Sequence, residues 1–411
     1  MSEVLKLAGL FGIVIFFLRL KAPLSLSLLI ASLAGGFFFQ LSPSQMVSAF
    51  QEGLFSWNSW HLLGCILTIT TLGSLLRRRG KLADMALGAT WILKSRKAAL
   101  GAVPALIGMM PMPGGALLSA PMVEELDVKK ELTPEQKSSI NYLFRHVMEF
   151  LFPLYPGILL YASLLKTPVF NLVYALIPLF VVLLLGSSWY LKKKVRLSST
   201  TDFSTKTSQG WKLLLSGLWP VLLIVSLSLG FHLDILYSLL ATLLLGVLYF
   251  RSNTREFWLS LKEGIGRETI FSILSIMVFQ NILGASEGIR ELPVFFASIN
   301  LPPWVPVFFI PLIVGLLTGM TTAYLGLTFP VLSGFLVPHT QFIDFGMVML
   351  AYAGGFLGIM ASPAHLCLVL TYDFFRPKKL AVYRQMLFPL FGVGAAALLL
   401  FFAGFPWGKI R

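Results

Sequence analysis

Apolar runs of about 20 residues, the length a helix needs to cross a hydrocarbon core, recur from one end of this chain to the other. In the first half they fall near 5–20, 23–41, 60–76, 98–121, 139–165 and 168–190. In the second they fall near 211–229, 232–250, 268–284, 304–335, 342–371 and 380–404. Only 12% of the 411 residues are charged, against roughly 25% in a soluble domain. That is too little polar surface to cover a water-facing globule. The expected class is an all-α polytopic membrane protein.

The net charge of +14 does not point to nucleic acid. The basic residues sit in short clusters between apolar runs, as cytoplasmic loops of membrane proteins do, so no nucleic-acid partner is expected. Cys65 and Cys367 both fall inside apolar runs, without metal-ligand spacing or a disulfide framework. They read as buried structural thiols, and no metal is expected. The N-terminus carries neither a basic leader nor a small-residue cleavage site, so the first run is expected to remain as a span.

The second half repeats the order of the first. Gln51-Glu52-Gly53-Leu54 matches Lys262-Glu263-Gly264-Ile265, Leu72-Gly73 matches Leu283-Gly284, and Gly108-Met109 matches Gly319-Met320, all at an offset of 211; farther on the register drifts. These matches point to an internal repeat. The basic, then Ser- and Thr-rich segment 191–210 is the one stretch long and polar enough to link two halves, 1–190 and 211–411. Two mixed stretches, Ser42–Ser56 and Lys81–Leu93, look interfacial.

Basic residues set the orientation. Arg77-Arg78-Arg79, Lys81, Lys94, Arg96 and Lys97 crowd one connection, and Arg19 and Lys21 lie two crossings earlier. Lys192–Lys194, Arg251, Arg255, Arg376, Lys378 and Lys379 mark further cytoplasmic ends. These assignments agree only if 98–121 and 304–335 enter and leave on the same side. The expected fold is therefore two inverted-topology repeats, each with five transmembrane helices and one re-entrant hairpin. The linker is then cytoplasmic and both termini are external. Were both stretches full crossings, the repeats would be parallel.

The interruptions carry the chemistry. Two prolines and two adjacent glycines in Gly108-Met-Met-Pro-Met-Pro-Gly-Gly-Ala116 break the helical hydrogen bonding. At membrane depth such backbone is tolerated where it is buried in protein or lines a watery cavity, and freed amides at a half-helix start can hold an anion. Pro113, Gly114, Gly115 and Ala116 are the candidates there; a kink at a helix contact is the competing reading. Thr318-Gly-Met-Thr-Thr-Ala-Tyr324 is rich in hydroxyls instead. Thr321, Thr322 and Tyr324 could bind a solute or coordinate a cation, or make ordinary interhelical bonds worth about 0.6 kcal/mol each.

The runs that follow are also broken, at Pro153 and Pro156 in the first half and at Gly354-Gly355 and Ser362-Pro363 in the second. Tyr155-Pro156-Gly157 and Ser362-Pro363-Ala364 occupy matching places. Paired interruptions in corresponding spans are the best sequence pointer to a transporter's binding site. Ionisable residues at membrane depth are expensive and functional by default. Glu149 is the first candidate for coupling a proton or sodium ion, with His146 and Arg145 beside it. Arg145 and Glu149 lie four apart and can pair on one helix face, which would make them a structural ion pair. His365 is a proton carrier, an anion donor or a packed core histidine.

Two inverted halves, each with a re-entrant hairpin before a broken helix, resemble the ion transporter superfamily of gluconate, citrate, dicarboxylate and arsenite permeases and sodium/proton antiporters. More closely, Met112-Pro-Gly-Gly-Ala116, Arg145-His-Val-Met-Glu149 and Ser362-Pro-Ala-His365 resemble the prokaryotic domain of unknown function family 401. The resemblance implies that Pro113–Ala116 meets Tyr155–Gly157 and that Thr321–Tyr324 meets Ser362, Pro363 and His365. It also implies a prokaryotic plasma membrane, and it leaves a homodimer open. The Ser-Asn-Thr tripeptides of the dicarboxylate branch are absent from both hairpins, so neither sodium coupling nor dicarboxylate specificity is carried over.

The function expected is secondary active transport of a small anionic solute, an organic acid or oxyanion, driven by a proton or sodium gradient through alternating access. No cofactor is expected beyond the coupling H+ or Na+. An uncoupled channel or a lipid or solute exporter is the alternative. A membrane-embedded enzyme is third: HExxH and GxSxG motifs are missing, and His146 and Glu149, three residues apart, have no evident third ligand.

Overall fold

The computed structural model describes residues 2–110, 115–197, 207–264, 266–286, 292–337 and 342–405. Every regular element among them is helical. The first half contains α1 (Ser2–Arg19), α2 (Leu24–Phe38), α3 (Pro43–Phe55), α4 (Trp57–Arg78), α5 (Lys81–Leu93), α6 (Arg96–Gly108) and α7 (Gly115–Leu126). It continues with α8 (Pro134–Val147), α9 (Pro156–Leu165) and α10 (Val169–Lys194). The second half contains α11 (Thr207–Val225), α12 (Ile235–Tyr249), α13 (Thr254–Gly264), α14 (Arg267–Gly284), α15 (Leu292–Ser298) and α16 (Trp304–Thr318). It ends with α17 (Thr321–Leu336), α18 (Phe345–Ala361), α19 (Leu366–Phe375) and α20 (Lys379–Phe402).

Local chemistry sets several boundaries. Ser42 and Thr133 each form a capping box with a glutamine three residues on, Gln45 and Gln136, and each is followed by proline, which starts α3 and α8. Helix occupies both ends of 191–210, since α11 begins at Thr207. α10 runs on to Lys194, so the triplet Lys192–Lys194 forms its last turn, where the helix dipole favours cations. Residues 198–206 lie outside the described residues.

Helices long and apolar enough to cross a membrane include α4, α10, α11, α18 with α19, and α20; the chain is a multi-pass membrane protein. The most apolar 18-residue window of Pro43–Arg78 is 72% buried and those of α11 and α20 only 22% and 28%. So α4 sits in the protein interior, while α11 and α20 present side chains such as Leu222 and Phe391 outward. Lipid is as apolar as leucine, so these outward faces give no drive to bury them.

The halves pack through exchanged partners. α2 and α3 lie against α14, whereas α12 and α13 lie against α4. Gly53 of α3 touches the backbone of α14 and Gly264 of α13 touches the backbone of α4. A Cβ on either would come within 2.6 Å of Val278 Cα or Thr71 N. The ends join by polar bonds: Ser25 Oγ donates to Glu268 Oε2 at 3.1 Å, His61 Nε2 meets Asp234 Oδ1 at 2.8 Å, and Arg77 donates to Glu263 at 2.7 Å.

Where 98–121 was expected to be interrupted, α6 and α7 run antiparallel. Arg96 Nε at the start of α6 donates to Leu126 O at the end of α7 at 2.5 Å, and its Nη2 to Asp127 Oδ1 at 2.9 Å. Buried Lys137 joins Asp127 from α8 at 3.0 Å. The α8–α9 break begins with a 3-10 turn, Met148–Phe150, and continues to Tyr155. In the second half the break differs from expectation: α18 is continuous through Gly354-Gly355 and stops only at Ser362. Those glycines serve close packing instead, since a Cβ on Gly354 would lie 2.1 Å from Phe308 O of α16. The matched interruptions are accordingly Phe152-Pro-Leu-Tyr155 and Ser362-Pro-Ala-His365.

Candidate functional site

Three half-helices begin at one place. Pro156 occupies the first position of α9 after Tyr155, with its fixed φ and its missing N–H at a site that needs neither changed. α17 begins after Met320, and α19 begins after His365. None of these three preceding residues turns its side chain back to cap its own helix. First-turn N–H groups have no intrahelical acceptor, so three positive helix ends open together. They line a cavity of about 330 Å³ with Tyr155, Pro156, Gly157, Thr321, Thr322, His365, Leu366 and Cys367 on its wall. Met110 after α6 and Gly319 between α16 and α17 reach it as well.

Arg145 and His146, at the end of α8, form another side of the cavity. Arg145 is buried, and its Nη1 has no hydrogen-bond partner among the described residues. The pairing of Arg145 with Glu149 raised by their spacing does not form. α8 ends at Val147 and the 3-10 turn takes Glu149 off the helical repeat. Glu149, buried behind the wall, instead accepts a hydrogen bond at Oε1 from the Tyr155 hydroxyl across the break. Its Oε2 has no partner among the described residues. The Tyr352 hydroxyl lies 3.4 Å from the Glu149 carbonyl oxygen.

His146 and His365 meet from opposite halves, their Nε2 atoms 3.1 Å apart. Tyr142 stacks edge-on to His146 with ring centroids 4.7 Å apart. Gly319 fixes His365: it sits at φ 64, and its carbonyl accepts from His365 Nδ1 at 2.7 Å.

Of the residues picked from sequence, Arg145, His146, Tyr155, Pro156, Gly157, Thr321, Thr322 and His365 share this one cavity. The tip-to-break pairs expected from the resemblance are not kept apart: Gly157 abuts Thr321, since a Cβ on Gly157 would lie 2.6 Å from Thr321 Cγ2, and α7 packs on α6, α8 and α19. Gly115 stands against the Arg145 guanidinium, and Ala116 O is 3.5 Å from Asn141 Nδ2. Pro113 and Gly114 lie outside the described residues. Ser362 closes the turn before α19, its Oγ accepting from Ala364 N at 3.2 Å, and Pro363 is exposed beside it. Tyr324 is set back from the wall in an aromatic cluster with Tyr352.

Sequence reasoning missed Cys367, and its His-x-Cys spacing after the break was the available signal. It also missed Thr70, Glu268, Thr269 and Ser272, which reach the cavity from α4 and α14. Nothing in their local sequence marks them; they reach it because α4 packs on α9 and α14 on α17.

A sequence profile described as protein of unknown function (DUF401) matches residues 4–403. The chain belongs to this family. The three short motifs around Ala116, Glu149 and His365 thus belong to a DUF401 protein over nearly its whole length. A comparison with curated proteins finds no match. Among solved structures, the YdaH transporter of Alcanivorax borkumensis, described as having an unusual topology, is similar in fold. The TM-score is 0.59 at 12% identity, covering 89% of this chain and 90% of that one.

Proposed function

We propose that this DUF401 protein is a secondary active transporter of a small anionic solute, an organic acid or oxyanion, coupled to a proton or sodium gradient. The observation that carries this reading is the convergence of three helix N-termini and the buried Arg145 on one cavity of about 330 Å³. Partial positive charge at half-helix ends is suited to anionic groups, and the cavity lies at the small end of ligand pockets. Glu149 is the group whose charge a co-transported cation would neutralise. The fold it shares with the YdaH transporter supports transport.

Several features support an inverted pair of repeats with re-entrant hairpins. α6 and α7 have 13 and 12 residues, α16 and α17 have 15 and 16. At 1.5 Å per residue α6 and α7 are about 18–20 Å long, shorter than the 15-residue α2 and α12 that the plan counts as crossings. The ends of α6 and α7 return to one level at Arg96 and Leu126. The inverted plan puts Ser25 and Glu268 on the cytoplasmic side, His61 and Asp234 outside, and Arg77 and Glu263 inside. Each of these pairs is in contact. Rocking of one repeat against the other would then open the cavity alternately to each side.

The test is uptake into proteoliposomes. A panel of labelled organic acids and oxyanions is offered with an inward proton gradient, with an inward sodium gradient, and with neither. One solute should accumulate only under one gradient, and Arg145→Gln should reduce its binding at least tenfold. Uptake indifferent to both gradients would remove the coupling claim; preference for cations or neutral solutes would remove the anion claim.

A further inference from the structure

Two nitrogens and one sulfur that can each ligate a metal meet at the cavity wall. His146 comes from α8, His365 and Cys367 from the start of α19, and their ligand atoms all lie within 4.8 Å of one another. The tautomers follow from the surroundings. A carbonyl oxygen only accepts, so His146 Nδ1 donates to Tyr142 O and His365 Nδ1 donates to Gly319 O, both at 2.7 Å. Each neutral ring then carries its lone pair on Nε2, and those two lone pairs face each other at 3.1 Å. Two acceptors held at that distance call for a cation between them. A shared proton would satisfy the pair, and so would a metal ion, for which the Cys367 sulfur beside them supplies a third, soft donor.

We propose that His146 Nε2, His365 Nε2 and the Cys367 thiolate form a binding site for a Zn2+-class divalent cation, with a fourth position open to the cavity. Ligand nitrogens about 2.0–2.1 Å from one ion stand about 3.3 Å apart at a tetrahedral angle, close to the 3.1 Å between these two. Metal-ligating imidazoles almost always donate their other N–H to a carbonyl or carboxylate, which fixes ring and tautomer. Both rings here already do so. Imidazole and thiolate favour zinc-like ions over sodium, magnesium or calcium, which take oxygen ligands. His146 and His365 are only 2% and 8% exposed, so the donors are held in place. On binding, Cys367 gives its thiol proton to solvent and its sulfur electron pair to the ion. Both imidazoles bind neutral, so one proton leaves per metal.

The site does not depend on the identity of the solute, and its test requires no transport. Metal-stripped, tag-free protein in detergent under reducing conditions is titrated with Co2+. A thiolate-to-cobalt charge-transfer band should grow in and saturate at one ion per chain, with about one proton released, and Zn2+ should abolish it. Cys367→Ser should remove the band, and His365→Gln should weaken Co2+ binding by more than the roughly 10–100-fold typical of losing an outer-shell partner. Cys65→Ser should keep the band, which separates this site from the neighbouring Cys65 and His61, 4.0 Å apart. Thermal melting confirms that each variant is folded. Absence of the band in the unsubstituted protein would mean a proton alone between the histidines and would overturn the proposal. So would a band that survives Cys367→Ser.

Discussion

The Tyr155 hydroxyl donates to Glu149 Oε1 across the break between α8 and α9, joining the buried carboxyl to the residue that opens the helix at the cavity. One oxygen of Glu149 is thus tied to the cavity wall and the other is unpartnered among the described residues. If Glu149 is the coupling group, Glu149→Gln should keep solute binding within a few-fold of the unsubstituted protein while gradient-driven accumulation falls at least tenfold. Counterflow exchange, which needs no net cation movement, should persist. Tyr155→Phe removes one hydrogen bond to a buried acidic group, a loss of about 1–3 kcal/mol, and melting temperature should record it. Full accumulation by the Glu149 variant would assign coupling elsewhere.

Gly319 makes a second, independent point of control. Its φ of 64 lies in the left-handed region, and a Cβ there would come within 2.8 Å of His365 N and 3.0 Å of Ser362 Oγ. Gly319→Ala therefore meets both a conformational penalty of about 1–2 kcal/mol and a clash with the turn before α19. The melting temperature should fall, and solute binding should weaken more than for an alanine placed at Gly12, where a Cβ meets nothing within 4 Å. Equal effects at the two positions would show that the tip geometry around His365 is unimportant.

The link between α13 and the end of α4 predicts a pH dependence. Partial burial pushes Glu263 up, but hydrogen bonds from Ser74, Arg78 and Arg77 outweigh it and hold the carboxyl at about 2, below its ordinary 4.5. A depressed carboxyl contributes stability that is fully present above its unfolded pKa and lost as pH falls through its folded one. The contribution from Glu263 should therefore fade between about pH 4.5 and pH 2. Glu263→Gln should lower the melting temperature at neutral pH and flatten its dependence across that window, as followed by melting curves at stepped pH. Because the pair is substantially solvent-exposed, raised salt should shrink the difference.

Much of this was legible in the sequence, for identifiable reasons. Proline and glycine act on their own backbone, so the interruptions at Pro153, Pro156 and Ser362-Pro363 could be read directly. Gly354-Gly355 misled because the same absence of a Cβ that permits a break also permits close packing on Phe308, and only the neighbour distinguishes the two. Arg145 and Glu149 misled because their spacing implies a shared face only while the helix continues, and it stops at Val147. Cys367 reads in the sequence as a packed thiol, since His146 beside it lies 221 residues away in the chain and comes from the other half.

The inverted plan makes the sharpest demand on topology. Gln51 and Lys262 occupy matching positions on α3 and α13, 211 residues apart, and both are exposed. If the halves are inverted, the two side chains lie on opposite faces of the membrane, with Gln51 outside and Lys262 inside beside the basic end of α4. In a background with Cys65→Ser and Cys367→Ser, Gln51→Cys should react with a membrane-impermeant maleimide on intact cells. Lys262→Cys should react only after the membrane is permeabilised. Labelling of both from the outside would mean that 98–121 and 304–335 cross the membrane fully and that the repeats are parallel. The cavity residues would still lie together, but half-helices could no longer enter from opposite sides. Alternating access by interchange of two inverted repeats would then lose its basis, because only repeats related by a two-fold axis in the membrane plane can swap conformations to face the opposite side.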